Sequence, residues 1–381
     1  MPVAVPAGFI YPVGFDTNTA ASVVASAKQA AQGRGMKLRN LLRSRLVAAS
    51  LLTALMTTVV WVPCLMAQSG ERGAHPATSA GARSRALQCD RSCLEGMLDR
   101  YMDAMVAHDP SRAPFAPNVQ YAQDNVPLKI GQALWATATG MGAYKHYFAD
   151  PERGDAGLIR VVYENGVGAI LILRLKVENH LITEAEQFVA HDPHGAAAYE
   201  KLGKPDPGWL TPIPPDRRQS REALEQTAYM YYEGLEKNDG KGIYAFTDDC
   251  NRIEDAVRTT NQPRPQNYGH SDTDISDFTM LSCKAQYELG FLGFTTGCRD
   301  RRFLVVDVER GSVLASAYLD FDGTVSELHL TDGRVWKVPP YFMTPRTNQS
   351  NEAYRIENGS IRLIEMTMYE VPFNAQPAFD K

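Results

Sequence analysis

The sequence predicts an α+β fold built twice in one chain. Two ungapped internal matches and one turn signal predict it. VENHLITEAEQFV (177–189) lies on IENGSIRLIEMTM (356–368), with Glu178 on Glu357, Asn179 on Asn358, Ile182 on Ile361 and Glu186 on Glu365. LEGMLDRYMDAMVAHD (94–109) lies on LEQTAYMYYEGLEKND (224–239), with Leu94 on Leu224, Tyr101 on Tyr231 and Asp109 on Asp239. Both segments of the second match space their apolar residues as a helix does, and both of the first read as strands. Asn165-Gly166, between runs of β-favouring residues, is a hairpin signal.

The elements follow in chain order. The first helix is capped by Asp90 or Ser92 and ended by Asp109-Pro110. Short helices are expected around Trp135–Phe148. Three apolar runs then follow, parted by Glu164-Asn165-Gly166 and Glu178-Asn179-His180, and form an antiparallel meander. Residues 191–220 are rich in Pro and Gly and read as a linker. The second repeat (221–381) has the same order. Its hairpin Phe303–Phe321 turns at Glu309-Arg310-Gly311, and polar insertions are expected near 262–278 and 324–350.

Upstream, five basic residues (Arg34, Lys37, Arg39, Arg43, Arg45) precede an uncharged stretch from Leu46 to Ala67, the layout of a secretory signal. Residues 1–67 thus read as an upstream extension plus signal peptide cut after Ala67, and Gly/Ser/Ala-rich 68–88 as a disordered linker. The apolar stretch is also long enough to stay as a membrane anchor, and Cys64 is a poorly fitting lipid site. Secretion or export to a periplasm makes disulfides the default for Cys89, Cys93, Cys250, Cys283 and Cys298. Cys89 and Cys93 are spaced to meet across one helical turn, and two of the other three are expected to pair. A net charge of −5 gives no electrostatic reason to expect nucleic acid as a partner. No metal is expected, since no Cys-x-x-Cys pair or nearby His accompanies the cysteines.

LWATATGMGAYKHYFADP, ILRLKVENHLITEAEQF, DDCNRIEDAVRTTNQP, CRDRRFLVVDVERG and IENGSIRLIEMTMY carry a family resemblance. Over about residues 89–377 the chain resembles two tandem SnoaL-like domains of the nuclear transport factor 2-like (NTF2-like) superfamily. The resemblance implies two cones, 89–190 and 221–381, each a long helix packed on a strongly bent antiparallel sheet. It implies a pocket at the open end of a cone and acid–base chemistry without metal or other cofactor. It also implies the pair Cys250–Cys283, with Cys298 free. The superfamily holds isomerases, dehydratases and cyclases as well as binders without chemistry, so fold does not settle function.

The site candidates follow from residue type and strand parity. Glu186 and Glu365 share strand faces with apolar residues, which suits a pocket carboxylate and equally a salt bridge. Arg174 lies on a face with Ile170 and Ile172 and is expected to pair with Glu186. His146, flanked by Tyr144 and Tyr147, suits acid–base work or a cap, and Tyr121 sits on a strand after the first helix. In the second repeat Arg252, Glu254 and Arg299, Arg301, Arg302 form either a polar pocket or an ion-pair ladder; alternation puts Arg299 and Arg301 on one face. The expectation is a lyase, isomerase or hydratase acting on a small or medium organic molecule. Repeat one is its active half: Glu186 is the base, Arg174 orients it, and Tyr121 or His146 gives the proton. Trp135, Tyr144, Arg252, Glu254, Arg301 and Glu365 are expected at substrate. The alternative is a ligand- or protein-binding double module, and a third places repeat one as a structural cover for repeat two. An oligomer is compatible with either.

Overall fold

A computed structural model describes residues 89–264 and 276–379. The signal-like segment, Cys64, the 68–88 linker and His270 lie outside the described residues. Among them no helix is long and apolar enough to cross a membrane.

Helix α1 (Arg91–Val106) begins at Asp90, whose side chain accepts from the Cys93 amide, and buries Leu94, Met97, Leu98, Tyr101 and Met105. Strands β1 (Phe115–Gln123), β2 (Val126–Leu128), β3 (Ala138–Asp150), β4 (Asp155–Glu164), β5 (Val167–Glu178) and β6 (Leu181–Ala190) form one six-stranded sheet in the order β2-β1-β6-β5-β4-β3. The meander is antiparallel and β1 joins β6 in parallel. Of the short helices expected around Trp135–Phe148 only α2 (Leu134–Thr137) forms. The rest is β3, because Tyr144, Tyr147 and Phe148 favour a pleated surface and β4 supplies a partner.

The segment read as a linker holds α3 (Pro193–Leu202) and α4 (Pro207–Leu210), each capped by an Asp and opened by Pro. Tyr199 and Trp209 anchor them in the core. Helix α5 (Arg221–Glu236) opens repeat two, followed by β7 (Phe246–Glu254), β8 (Val257–Arg258), α6 (Ser276–Thr279) and α7 (Cys283–Glu288). Strands β9 (Gly297–Asp307), β10 (Ser312–Phe321), β13 (Arg346–Glu357) and β14 (Ser360–Val371) complete a second six-stranded sheet, in the order β8-β7-β14-β13-β10-β9. Strands β11 (Glu327–His329) and β12 (Val335–Lys337) are a separate hairpin. The two large sheets have the same strand order and the same pattern of parallel and antiparallel pairing. The Asn165-Gly166 and Asn358-Gly359 turns both take positive φ at both residues, as tight hairpins need.

Three apolar clusters define the layers. One joins α1 to the helix side of the first sheet and one joins α5 to the helix side of the second. The third, with Phe148, Ile172, Phe188, Trp209, Val305, Leu314 and Ala353, lies between the other faces of the two sheets. Disulfides Cys89–Cys93 and Cys250–Cys283 are formed, and Cys298 is free and buried. They fit an oxidising compartment.

Candidate functional site

Strand pairing fixes which residues of the two repeats are equivalent. With Glu186 set on Glu365, their cross-strand partners Arg174 and Ala353 correspond. One strand further, Gly157 corresponds to Leu314. One strand beyond that, His146 corresponds to Arg302 and Asp150 to Asp307. From α1 and α5, Arg91 corresponds to Arg221.

These positions face each other between the sheets. Glu186, fully buried, receives both Nη atoms of Arg302, at 2.6 and 2.8 Å. The matching carboxylate, Glu365, lies 2.8 Å from His146 Nδ1 and accepts from the Tyr144 hydroxyl at 2.8 Å. Arg91 grips Asp307 at 2.6 and 3.0 Å, while Arg221 reaches Asp150 at 2.6 Å. Glu186–Arg302 and Glu365–His146 are therefore mates with the repeats exchanged, as are Arg91–Asp307 and Arg221–Asp150, the pattern of an isologous dimer interface within one chain. At its centre Leu314 fills the space that Gly157 leaves: a Cβ on Gly157 would come within 2.7 Å of Leu314 Cδ2.

This placement corrects several expectations. Glu186 and Glu365 do not face a pocket with Tyr121, because strand alternation turns Ala185 and Gln187 to the helix side and Glu186 away from it. Arg174 stands opposite Glu186 but bonds Glu184 at 2.7 Å and Asp155 at 2.9 Å, since Glu186 is taken by Arg302. His146 and Tyr144 serve Glu365 across the interface. Tyr121 is on the helix side, where its hydroxyl donates to Gln187 Oε1 at 2.9 Å. Trp135 is also there, its Nε1 donating to the Tyr101 hydroxyl at 2.8 Å. Arg301 pairs with Glu236 and lies over Tyr229. Asp300, at φ 50°, interrupts the alternation, so Arg299 and Arg302, not Arg299 and Arg301, share a face.

The helix sides of the two sheets differ in one column. In repeat one, β5 presents Ala169, Leu171, Leu173 and Leu175 to α1, all buried. The equivalent residues of β13 are Asn348, Ser350, Glu352 and Tyr354, also buried. Ser350 Oγ donates to Glu352 Oε1 at 2.8 Å. Asn348 Oδ1 finds no hydrogen-bond partner among the described residues, and Glu352 Oε2 has only the nearby Tyr231 and Tyr354 hydroxyls to turn to. Groups buried in this way are costly in a core and mark a place where polar chemistry is kept.

Burial pushes the Glu352 carboxyl up to about 7; bonding from Ser350, the nearby Tyr231 and Tyr354 hydroxyls and the Arg252 charge restrain the rise. Burial also holds the Tyr231, Tyr232 and Tyr354 hydroxyls well above the usual tyrosine range, so they stay protonated donors. Arg252 and Glu254 lie on this side as a buried ion pair, 2.8 Å apart. Burial pushes the Cys298 thiol up to about 12, which leaves it a poor nucleophile.

A family model described as a domain of unknown function (DUF8021) matches residues 217–368. The match spans the polar column and leaves out repeat one. No curated protein matches the chain. Glu352 is not among the sequence candidates, because TNQSNE (347–352) has the composition of a loop and reads as the end of a polar insertion; Tyr232 and Tyr354 carry no signal beyond an apolar helix or strand position. The signal was present: carrying the ungapped match four residues upstream of Ile356 puts Glu352 on Leu173.

Proposed function

We propose that repeat two is the working half and that Glu352 is its acid–base group. It acts on a small or medium organic molecule, in the lyase, isomerase or hydratase class, without metal or other cofactor. Glu352 takes a proton from carbon beside a carbonyl, and a tyrosine hydroxyl among Tyr231, Tyr232 and Tyr354 donates to the oxygen where charge develops. The observation that carries this is a fully buried carboxyl set among three tyrosine hydroxyls, where repeat one has leucine. The helix laid on a meandering sheet in each repeat supports two tandem NTF2-like cones, with repeat one as the cover of the outer sheet face of repeat two.

The protonation claim is testable without substrate. A carboxyl raised from its ordinary 4.5 to about 7 in the folded state adds stability that is complete below pH 4.5 and lost as pH rises through 7. The stability of the wild type relative to Glu352→Gln should therefore fall by ~3 kcal/mol between pH 4.5 and 8. A flat difference in denaturant titrations would sink the assignment. For the chemistry, deuterium uptake from D2O by a panel of ketones and β-hydroxy carbonyl compounds is the readout, with a loss of roughly 10²–10⁴-fold expected in Glu352→Gln. Full exchange in that variant ends the base role. A panel compound that raises the melting temperature without exchanging favours a binding module.

We also infer that the chain is exported through its 37–67 segment, with support from the two disulfides. The mature N-terminus should then lie close to Gln68 by N-terminal sequencing. A product retained in the cytosol and starting at Met1 would contradict this.

A further inference from the structure

The two disulfides are unlike. Cys250–Cys283 spans 33 positions, and both of its residues are fully buried. Cys89–Cys93 spans 4, between residues that the first turn of α1 and the Asp90 cap already bring together. A bridge over so short a loop removes little freedom from the unfolded chain. Cys89 is buried, but Cys93 is partly open to solvent.

A third group meets this pair. His180, 87 positions from Cys93 on the turn between β5 and β6, sets its Nδ1 3.4 Å from Cys93 Sγ. The two sulfurs and a ring nitrogen lie within 4.8 Å of one another. Asp90 accepts from the Cys93 amide, and Arg91 turns to Asp307 and Glu309, so the group at the sulfur itself is His180. The twin repeat shows what this corner holds otherwise. Cys89, Cys93 and His180 correspond to Gln219, Ala223 and Gly359. Gln219 and Gly359 also touch, the Gly359 amide donating to Gln219 Oε1 at 3.1 Å. One half thus places an amide and a glycine where the other places two sulfurs and an imidazole. Gly359 takes φ 78°, in the left-handed region that suits glycine, and His180 takes φ 61°. A side chain is kept at this turn at a cost in backbone conformation.

We propose that Cys89–Cys93 is a thiol–disulfide exchange site for small or peptide thiols, with Cys93 as the reacting sulfur, His180 as the group that steadies its thiolate and Cys89 as the resolving cysteine. A substrate thiolate attacks Cys93 Sγ. The bond between the two sulfurs breaks, and its electron pair leaves on Cys89, which takes a proton. The second thiolate of the substrate attacks the substrate sulfur of the mixed disulfide and expels Cys93 as a thiolate, beside the His180 imidazolium and the N-terminus of α1. The substrate dithiol is oxidised to its disulfide and the cysteine pair is reduced. Glutathione disulfide runs the same steps backwards and restores the pair. The site is separate from Glu352 and does not depend on it.

The oxidised full chain is treated briefly with dithiothreitol, quenched in acid, alkylated and mapped cysteine by cysteine by mass spectrometry. Cys89–Cys93 should open roughly 100-fold faster than Cys250–Cys283. Cys89→Ser traps the mixed disulfide: with glutathione disulfide at neutral pH it should carry the adduct on Cys93. Adding His180→Asn, which suits the same backbone, should slow adduct formation roughly tenfold and leave the melting temperature unchanged. A Cys89–Cys93 bridge as slow to open as Cys250–Cys283 overturns the proposal. So does an equal adduct rate with His180→Asn, which would leave a disulfide that is merely accessible. Zn²⁺ alone shielding both opened thiols from alkylation in the wild type but not in His180→Asn would also overturn it, in favour of a metal site.

Discussion

Gly157→Val is expected to destabilise the protein by ~3 kcal/mol, although Gly157 has no special backbone conformation. The added Cβ meets Leu314 Cδ2 at 2.7 Å and Val305 Cγ2 at 3.1 Å, and both belong to the opposite sheet. The sheets must part or Leu314 must leave its rotamer. Leu314→Ala alone should also cost ~2–4 kcal/mol, because it empties the centre of the same layer. The combination should cost clearly less than the sum, since each change makes room for the other. Denaturant unfolding of the four proteins measures the coupling. Strict additivity would mean that the two residues do not determine how the sheets meet.

Arg302→Met is expected to cost about 3–5 kcal/mol, because it leaves the fully buried Glu186 carboxyl without the partner that meets both its oxygens. Glu186→Leu in the same chain should recover most of that loss, as replacing both members of a buried pair with apolar groups is often neutral. The informative quantity is the recovery. If the double variant is no more stable than Arg302→Met, then Arg302 acts through its packing, and the pair does not hold the repeats together.

Much of the fold was legible because duplication writes the same pattern twice. The long helices, the final strands and the turns leading into them, Glu178-Asn179-His180 and Glu357-Asn358-Gly359, each had a counterpart to be checked against. Strand parity correctly set Glu186 and Glu365 on one face, but a single sequence cannot say which face of a sheet meets the helix and which meets another sheet. Both faces here are buried, so apolar neighbours did not discriminate. Arg174 illustrates the same limit: its cross-strand partner was legible, whereas the competing Arg302, 116 residues from Glu186, was not. The β13 column was missed for a different reason. A strand buried on both sides was expected to be apolar, and its polar residues instead matched the composition of a surface insertion.

The reciprocal clasps have a consequence for how this molecule responds to its surroundings. An ordinary isologous dimer falls apart on dilution, since its stability is tied to protomer concentration. Here the two halves of the interface, Glu186 with Arg302 and Glu365 with His146, are carried on one covalent chain. The local concentration of one half about the other is set by the connecting segment, on the millimolar scale typical of short tethers, whatever the number of molecules per volume. The paired state therefore persists in dilute solution, and its unfolding midpoint should not move with protein concentration.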